Sequence, residues 1–293
     1  VYSEITANKR KTVFLISGFL VLIGALSYFA GIYFEDYTIT IGALIGSFIY
    51  VLFSYFGSAS AALAFNGAKA ISKQDDPRLW RTVENLAITD GLPMPKVYIM
   101  QDPGLNAFAT GRDPKHASVA ITSGLLEVLD NNELQGVMAH EMAHVKNYDI
   151  RVSIVVFGLV SIVSIFADIF LRISLFGGNS DDEDNNNGAL FLLGIVAIIL
   201  APIIAALIQS AISRKREYLA DASGALTTRY PEGLASALEK IKAGGSVTKR
   251  QNTSTAHLFI ANPLKGKSFA GLFSTHPDIN DRIKVLRSIG NKL

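Results

Sequence analysis

The chain has 293 residues, of which 49% are apolar and 18% charged, with a formal charge of +2 and no cysteine. That balance is rich in apolar residues and poor in charge for a water-soluble domain, so membrane spans are the first expectation. Nucleic acid is excluded as a partner by the lack of a basic stripe or a Gly-rich phosphate loop, and without Cys any metal must be held by His, Asp or Glu.

Residues 13–34 carry no charge, and at about 1.5 Å per residue they make roughly 33 Å of helix, enough to span a bilayer. Lys9, Arg10 and Lys11 resemble the head of a signal peptide, but the apolar run is too long for one and lacks a small-residue cleavage site. After Glu35-Asp36 a second uncharged run covers 39–56, so residues 1–56 read as an N-terminal arm and a membrane hairpin.

A water-soluble segment follows over 57–151. Its start, 59–72, reads as an Ala-rich amphipathic helix. The next helix has Asp76 as cap, Pro77 in its first turn and Gly91 as its stop, with Trp80, Val83 and Leu86 facing a core. Short strands are expected over 97–100, 106–111 and 118–122. Asn131 and Asn132 then cap a helix starting at Glu133 that carries His140-Glu141-Met142-Ala143-His144. Two imidazoles four residues apart share one helix face with a carboxylate beside them, which is half a zinc site with a base attached. Zinc with an open position lowers the pKa of water from about 15.7 towards 7, and Glu141 is placed to take the proton.

Residues 152–171 and 189–209 are two further expected spans, separated by the acidic, Asn-rich loop 177–188. Asp168 and Arg172, at i,i+4 in the third span, read as a structural pair with Arg172 reaching to the headgroups. Every Lys and Arg other than Arg172 falls on one common side, so the positive-inside rule puts both termini and the soluble segments in the cytoplasm. The acidic loop faces out.

The last segment, 210–293, offers the third ligand. Glu217 and Asp221 stand at i,i+4 on a helix that continues the fourth span. Glu217 suits the metal, and Asp221 suits the free ring N–H of a ligand His. The competing role for Glu217 is an ion pair with one of Arg214, Lys215 and Arg216. His276, in a polar turn before a short terminal helix, fits either a capping turn or a donor to a tetrahedral oxyanion. His116 and His257 have no motif around them and read as surface residues. His144 and Glu217 each lie within about 12 Å of the bilayer boundary if the flanking segments are helical. The zinc then sits at the membrane surface.

The set HEMAHVKNYD at 140–149, EYLAD at 217–221, NAFATG at 106–111 and THPDINDRI at 275–283, with its two pairs of spans, resembles HtpX-type membrane zinc metalloproteases. Their peptidase family also includes the CaaX prenyl-protein endopeptidase. The resemblance implies that His140, His144 and Glu217 bind one Zn2+, that Glu141 is the general base and that Asp221 supports the site. It implies a transition-state contact from His276 with Arg282 near it, and an edge strand at Asn106 and Ala107 that holds extended substrate backbone. It further implies a bacterial cell membrane, and stress-linked quality control acting on misfolded or unassembled membrane proteins.

The expected fold is therefore a membrane α-helical protein with four transmembrane helices and a cytoplasmic α+β zincin-like (gluzincin) domain assembled from 57–151 and 210–293. The expected activity is hydrolysis of peptide bonds at the membrane surface. One rival is a CaaX-type prenyl-peptide endopeptidase. The other, without enzymatic activity, is a membrane scaffold or transporter whose structural zinc is closed by a fourth protein ligand and has no use for Glu141.

Overall fold

In the computed structural model, residues 2–33, 35–161, 214–250, 254–263 and 277–291 are described. Two long helices come first, α1 (Tyr2–Tyr33) and α2 (Tyr37–Phe65). Asp36 starts α2 by accepting the Thr38 backbone N–H at 2.8 Å, which satisfies one of the orphan donors of a helix start. No residue between 57 and 65 breaks the helix strongly enough to end it at 56, so α2 runs on to Phe65. Gly67, at φ 65°, then turns the chain into strand β1 (Ala68–Ala70). The expected amphipathic helix over 59–72 is thereby corrected: its first half prolongs α2, and its second half pairs with β2, a partner that local periodicity does not reveal.

Among the described residues, the stretch Thr40–Phe65 is long and apolar enough to cross a membrane, and it is the one such helix. Its large apolar side chains face outward, with Phe48 57% and Phe53 69% exposed. Helix α1 packs along α2, and a helical run over 149–161 joins them through Leu15, Phe19, Val51, Val155 and Leu159. Residues 162–213, with Asp168, Arg172, the acidic loop and the fourth expected span, lie outside the described residues, as does His276.

Strands β2 (Lys96–Met100), β3 (Ala107–Gly111) and β4 (Ala117–Thr122) fall within a residue or so of their expected positions. With β1 they form one sheet in the order β1-β2-β4-β3, parallel between β2 and β4 and antiparallel at both outer pairs. Strand β3 is thus an edge. Helix α3 (Pro77–Asp90) begins and ends on the expected signals, Asp76 accepting from Leu79 and Gly91 at φ 64°. Leu79, Val83 and Leu86 are buried, while Trp80 packs at the margin of the core.

After the short α4 (Ser123–Val128) comes the central helix α5 (Asn131–Lys146). Its cap is Asp130 rather than the two asparagines, because Asp130 and Glu133 close a reciprocal capping box at 2.9 and 2.7 Å. Glu133 also accepts from Lys240 and Ser236, both at 2.6 Å, tying α5 to α7 (Pro231–Gly244). Leu134, Val137, Met138, Met142 and Val145 are fully buried, each contributing about 1.5–3 kcal/mol of burial. Helix α6 (Arg214–Thr228) crosses α5 closely at Gly224, where a Cβ would stand 3.0 Å from the His140 nitrogen. That approach brings the Glu217 and Asp221 face of α6 onto the histidine face of α5. The last helix, α8 (Ile279–Gly290), capped by Asp278, packs on α6 and α7.

Candidate active site

The i,i+4 spacing stacks His140 and His144 with ring centroids 4.7 Å apart and planes at 87°. Their Nε2 atoms face each other at 3.2 Å. Glu217 reaches in from α6, its Oε2 3.7 Å from His140 Nε2 and its Oε1 3.5 Å from His144 Nε2. The three side chains form a group able to hold a metal, with donor atoms within 4.8 Å of one another.

The outward nitrogens are each held by a carboxylate. His140 Nδ1 lies 2.9 Å from Asp221 Oδ1, and His144 Nδ1 lies 3.0 Å from Asp149 Oδ2. If each Nδ1 donates its proton to its carboxylate, both Nε2 atoms carry lone pairs aimed at the same point. Two bare lone pairs at that separation repel, and a shared cation between them, a proton on His144 or a metal ion in its place, removes the conflict. The spacings also suit zinc, since a tetrahedral ion with bonds of about 2.0–2.1 Å separates its ligand atoms by about 3.3 Å. The donor set fits the group.

Charge in the site follows the same logic. Burial disfavours a charged His144, but the hydrogen bond it donates to Asp149 and the nearby carboxylates of Glu217 and Glu141 outweigh it and push its pKa up to about 9. Burial also works against an ionised Asp221, yet Arg282 and His140 hold that carboxyl far below the usual carboxylate range. Arg282 is buried and grips Asp221 with two bonds, Nε at 2.9 and Nη2 at 2.7 Å. It also donates to the Ile260 carbonyl at 3.2 Å. Its closest partner is thus Asp221, beside the His140 ring, and its Nη1 also lies 3.7 Å from Glu217 Oε2. Glu141 is 2% exposed, and burial raises its pKa, against the pull of His140 and His144. A carboxylate whose pKa is raised is a stronger proton acceptor than an ordinary one.

A cavity of about 30 Å³ lies over these groups, walled by Ala109, Glu141, His257, Leu258 and Phe259. It has room for one or two waters. The expectation for Asn106 is corrected here. Its side chain is fully buried, donating to the Ser246 and Ala261 carbonyls at 3.0 and 2.8 Å, so it pins loops together and has no amide left for a substrate. Ala107 does sit on the edge strand, but its carbonyl already accepts from Ile260 at 2.9 Å, and Phe108 bridges to Phe259.

His257 is likewise corrected from surface to interior: it is 7% exposed, with Nε2 3.0 Å from the Ser153 carbonyl. His116 is half-exposed and pairs with Asp113 at 2.7 Å. Asp149 is the residue that sequence reasoning missed, and its only signal is a carboxylate shortly after the second histidine in HEMAHVKNYD.

Two helix-borne histidines, a carboxylate from a crossing helix and a buried glutamate among them form a group able to hold a metal ion beside a proton acceptor, the arrangement a metallopeptidase needs. The chain matches the family described as Peptidase family M48 over residues 73–290. It is 51% identical over 292 residues to a protein named Protease HtpX homolog from Tropheryma whipplei (strain Twist), covering 100% of this chain and 99% of that one. A Protease HtpX homolog from Dictyoglomus thermophilum is 45% identical, with 99% and 95% covered, and one from Listeria monocytogenes serovar 1/2a is 43% identical, with 99% and 100% covered. Among solved structures, S. mikatae Ste24p aligns with a TM-score of 0.52 at 18% identity, over 98% of this chain and 67% of that one, a likeness of fold. The chain belongs to peptidase family M48 and is a membrane-associated metalloprotease.

Proposed function

We propose that the protein is a zinc endopeptidase that cleaves misfolded or unassembled membrane proteins at the cytoplasmic surface of a bacterial cell membrane. The observation that carries this reading is the convergence of the His140 and His144 Nε2 atoms and the Glu217 carboxylate beside buried Glu141. His140, His144 and Glu217 would hold the ion. When bound, zinc supplies Lewis-acid polarisation of the scissile carbonyl and eases the ionisation of water.

The remaining steps belong to the chain. Glu141 accepts the proton of the attacking water on a carboxylate oxygen and returns it to the leaving amine nitrogen. His276 donates a hydrogen bond to the developing oxyanion, and Asp221 keeps His140 in the tautomer whose Nε2 is bare. A peptide enters as residues 257–260 move off the β3 edge, and its backbone then pairs with the outward groups of Ala107 and Ala109. The multi-pass arrangement, with four spans and both termini cytoplasmic, is supported by the outward apolar face of α2 and by the one-sided distribution of Lys and Arg.

The test is cleavage of an unassembled membrane protein in detergent by wild type and Glu141→Gln, each with its zinc content measured. The expected result is one zinc per chain in both and a loss of cleavage of at least about 100-fold in the variant. Metal-dependent cleavage that survives in Glu141→Gln would contradict the role of Glu141. Turnover confined to prenylated peptides would transfer the substrate assignment to the CaaX type.

A further inference from the structure

The two histidines are braced by different parts of the chain. Asp221, behind His140, is fixed by Arg282 from the last helix. Asp149, behind His144, is approached from the opposite end of the sequence. Asn8 on α1 donates through Nδ2 to Asp149 Oδ1 at 2.8 Å and to the Asn147 carbonyl at 2.9 Å. Asn8, Asn147 and Asp149 are all buried. The neighbouring Lys9 ammonium sits over the Tyr148 ring, 4.8 Å from its centroid, and the Arg151 guanidinium lies 4.9 Å from the same centroid. The first turns of α1 therefore clasp the turn 147–151, in which Tyr148 adopts φ 62°.

That clasp has a chemical consequence. Asp149 uses Oδ2 for His144 and Oδ1 for Asn8 at 2.8 Å, with Arg216 Nη1 further off at 3.7 Å from Oδ1, so the Asn8 amide, the hydrogen bond on that oxygen, helps to set the rotation of the carboxylate and thereby the orientation of the imidazole. We infer that Asn8 and Asp149 are positioning residues for His144, and that α1, which carries the first expected membrane span, is in this way part of the metal site. The inference rests on the reading of His144 as a zinc ligand. It gives Asn8 a role beyond anchoring a turn, because the metal feels its loss through one histidine only.

The experiment measures zinc affinity of the full-length protein in detergent by competition with a chelator, alongside thermal unfolding of the zinc-free form. Asp149→Ala is expected to weaken zinc about 10- to 100-fold, as loss of a partner behind a ligand histidine does. Asn8→Ala is expected to weaken it roughly 3- to 10-fold, the worth of one ordinary intramolecular hydrogen bond acting through Asp149. Thr12→Val removes a buried hydroxyl that bonds the Asn8 carbonyl at 2.9 Å, and is expected to leave zinc affinity unchanged.

If Asn8 acts through Asp149, the double variant weakens zinc no further than Asp149→Ala alone. Additive losses, or an Asn8→Ala protein that binds zinc like wild type while His144→Ala does not bind it, would overturn the bracing and leave the ligand assignment standing. Zinc bound equally well by His144→Ala would overturn the ligand assignment and the inference with it.

Discussion

Helices α2 and α5 reverse each other's relation to solvent. Helix α2 turns Ile45, Phe48, Ile49 and Phe53 outward, while α5 buries Glu133, His140 and Glu141. In water either arrangement would cost several kcal/mol, so each implies what faces it: lipid around α2, and compensating charges around α5. On α5 the compensation is visible residue by residue, Lys240 for Glu133 and Asp221 with Arg282 around His140. The contrast accords with a membrane-associated protease, in which one helix presents apolar side chains outward and another buries polar ones.

The sharpest way to break this contrast is within the polar half. Asp221→Asn strands a buried Arg282 and is expected to destabilise the zinc-free protein by about 3–5 kcal/mol, read by chemical denaturation. The sign with pH follows from the depressed pKa of Asp221. The carboxylate's contribution is present above its unfolded value of about 3.9 and is lost only as pH falls well below that. An unchanged midpoint in Asp221→Asn would show that the pair does not matter to the fold.

On the apolar half, Phe53→Lys puts a charge where lipid is expected, costing about 2.5–3.5 kcal/mol near the bilayer centre. Membrane insertion assayed by carbonate extraction should fall. If the variant behaves as a surface substitution, changing nothing beyond about 0.5 kcal/mol, α2 faces water or another protein. The smallest effect per step is a pH dependence. With its pKa near 9 in the metal-free protein, His144 must release a proton to bind metal. Apparent zinc affinity should therefore rise about tenfold per pH unit up to that pKa and level off above it. A flat titration between pH 6 and 8 would mean that zinc displaces no proton from His144.

Much of the metal group was legible because it is written in local spacing. His140 and His144 share a face by helix periodicity, and the same i,i+4 rule set Glu217 beside Asp221. What spacing does not carry is pairing between distant segments. Asp149 follows a turn whose Tyr148 has positive φ, so its side chain heads back to His144 in a way no helix period foretells. Asn8 meets Asp149 across 141 residues of sequence. The second half of the expected 59–72 helix became a strand because β2 offered it a partner. His257 and Asn106 were misjudged for the same reason: their burial is decided by segments far away in the chain.

X-ray absorption at the zinc edge of the purified wild-type protein tests the central claim most directly. The account predicts one zinc with two imidazole nitrogens and one carboxylate at bonding distance, the remaining position taken by solvent oxygen, and loss of this site in Glu217→Ala. A shell closed by a fourth protein ligand, or one unchanged in Glu217→Ala, would contradict it.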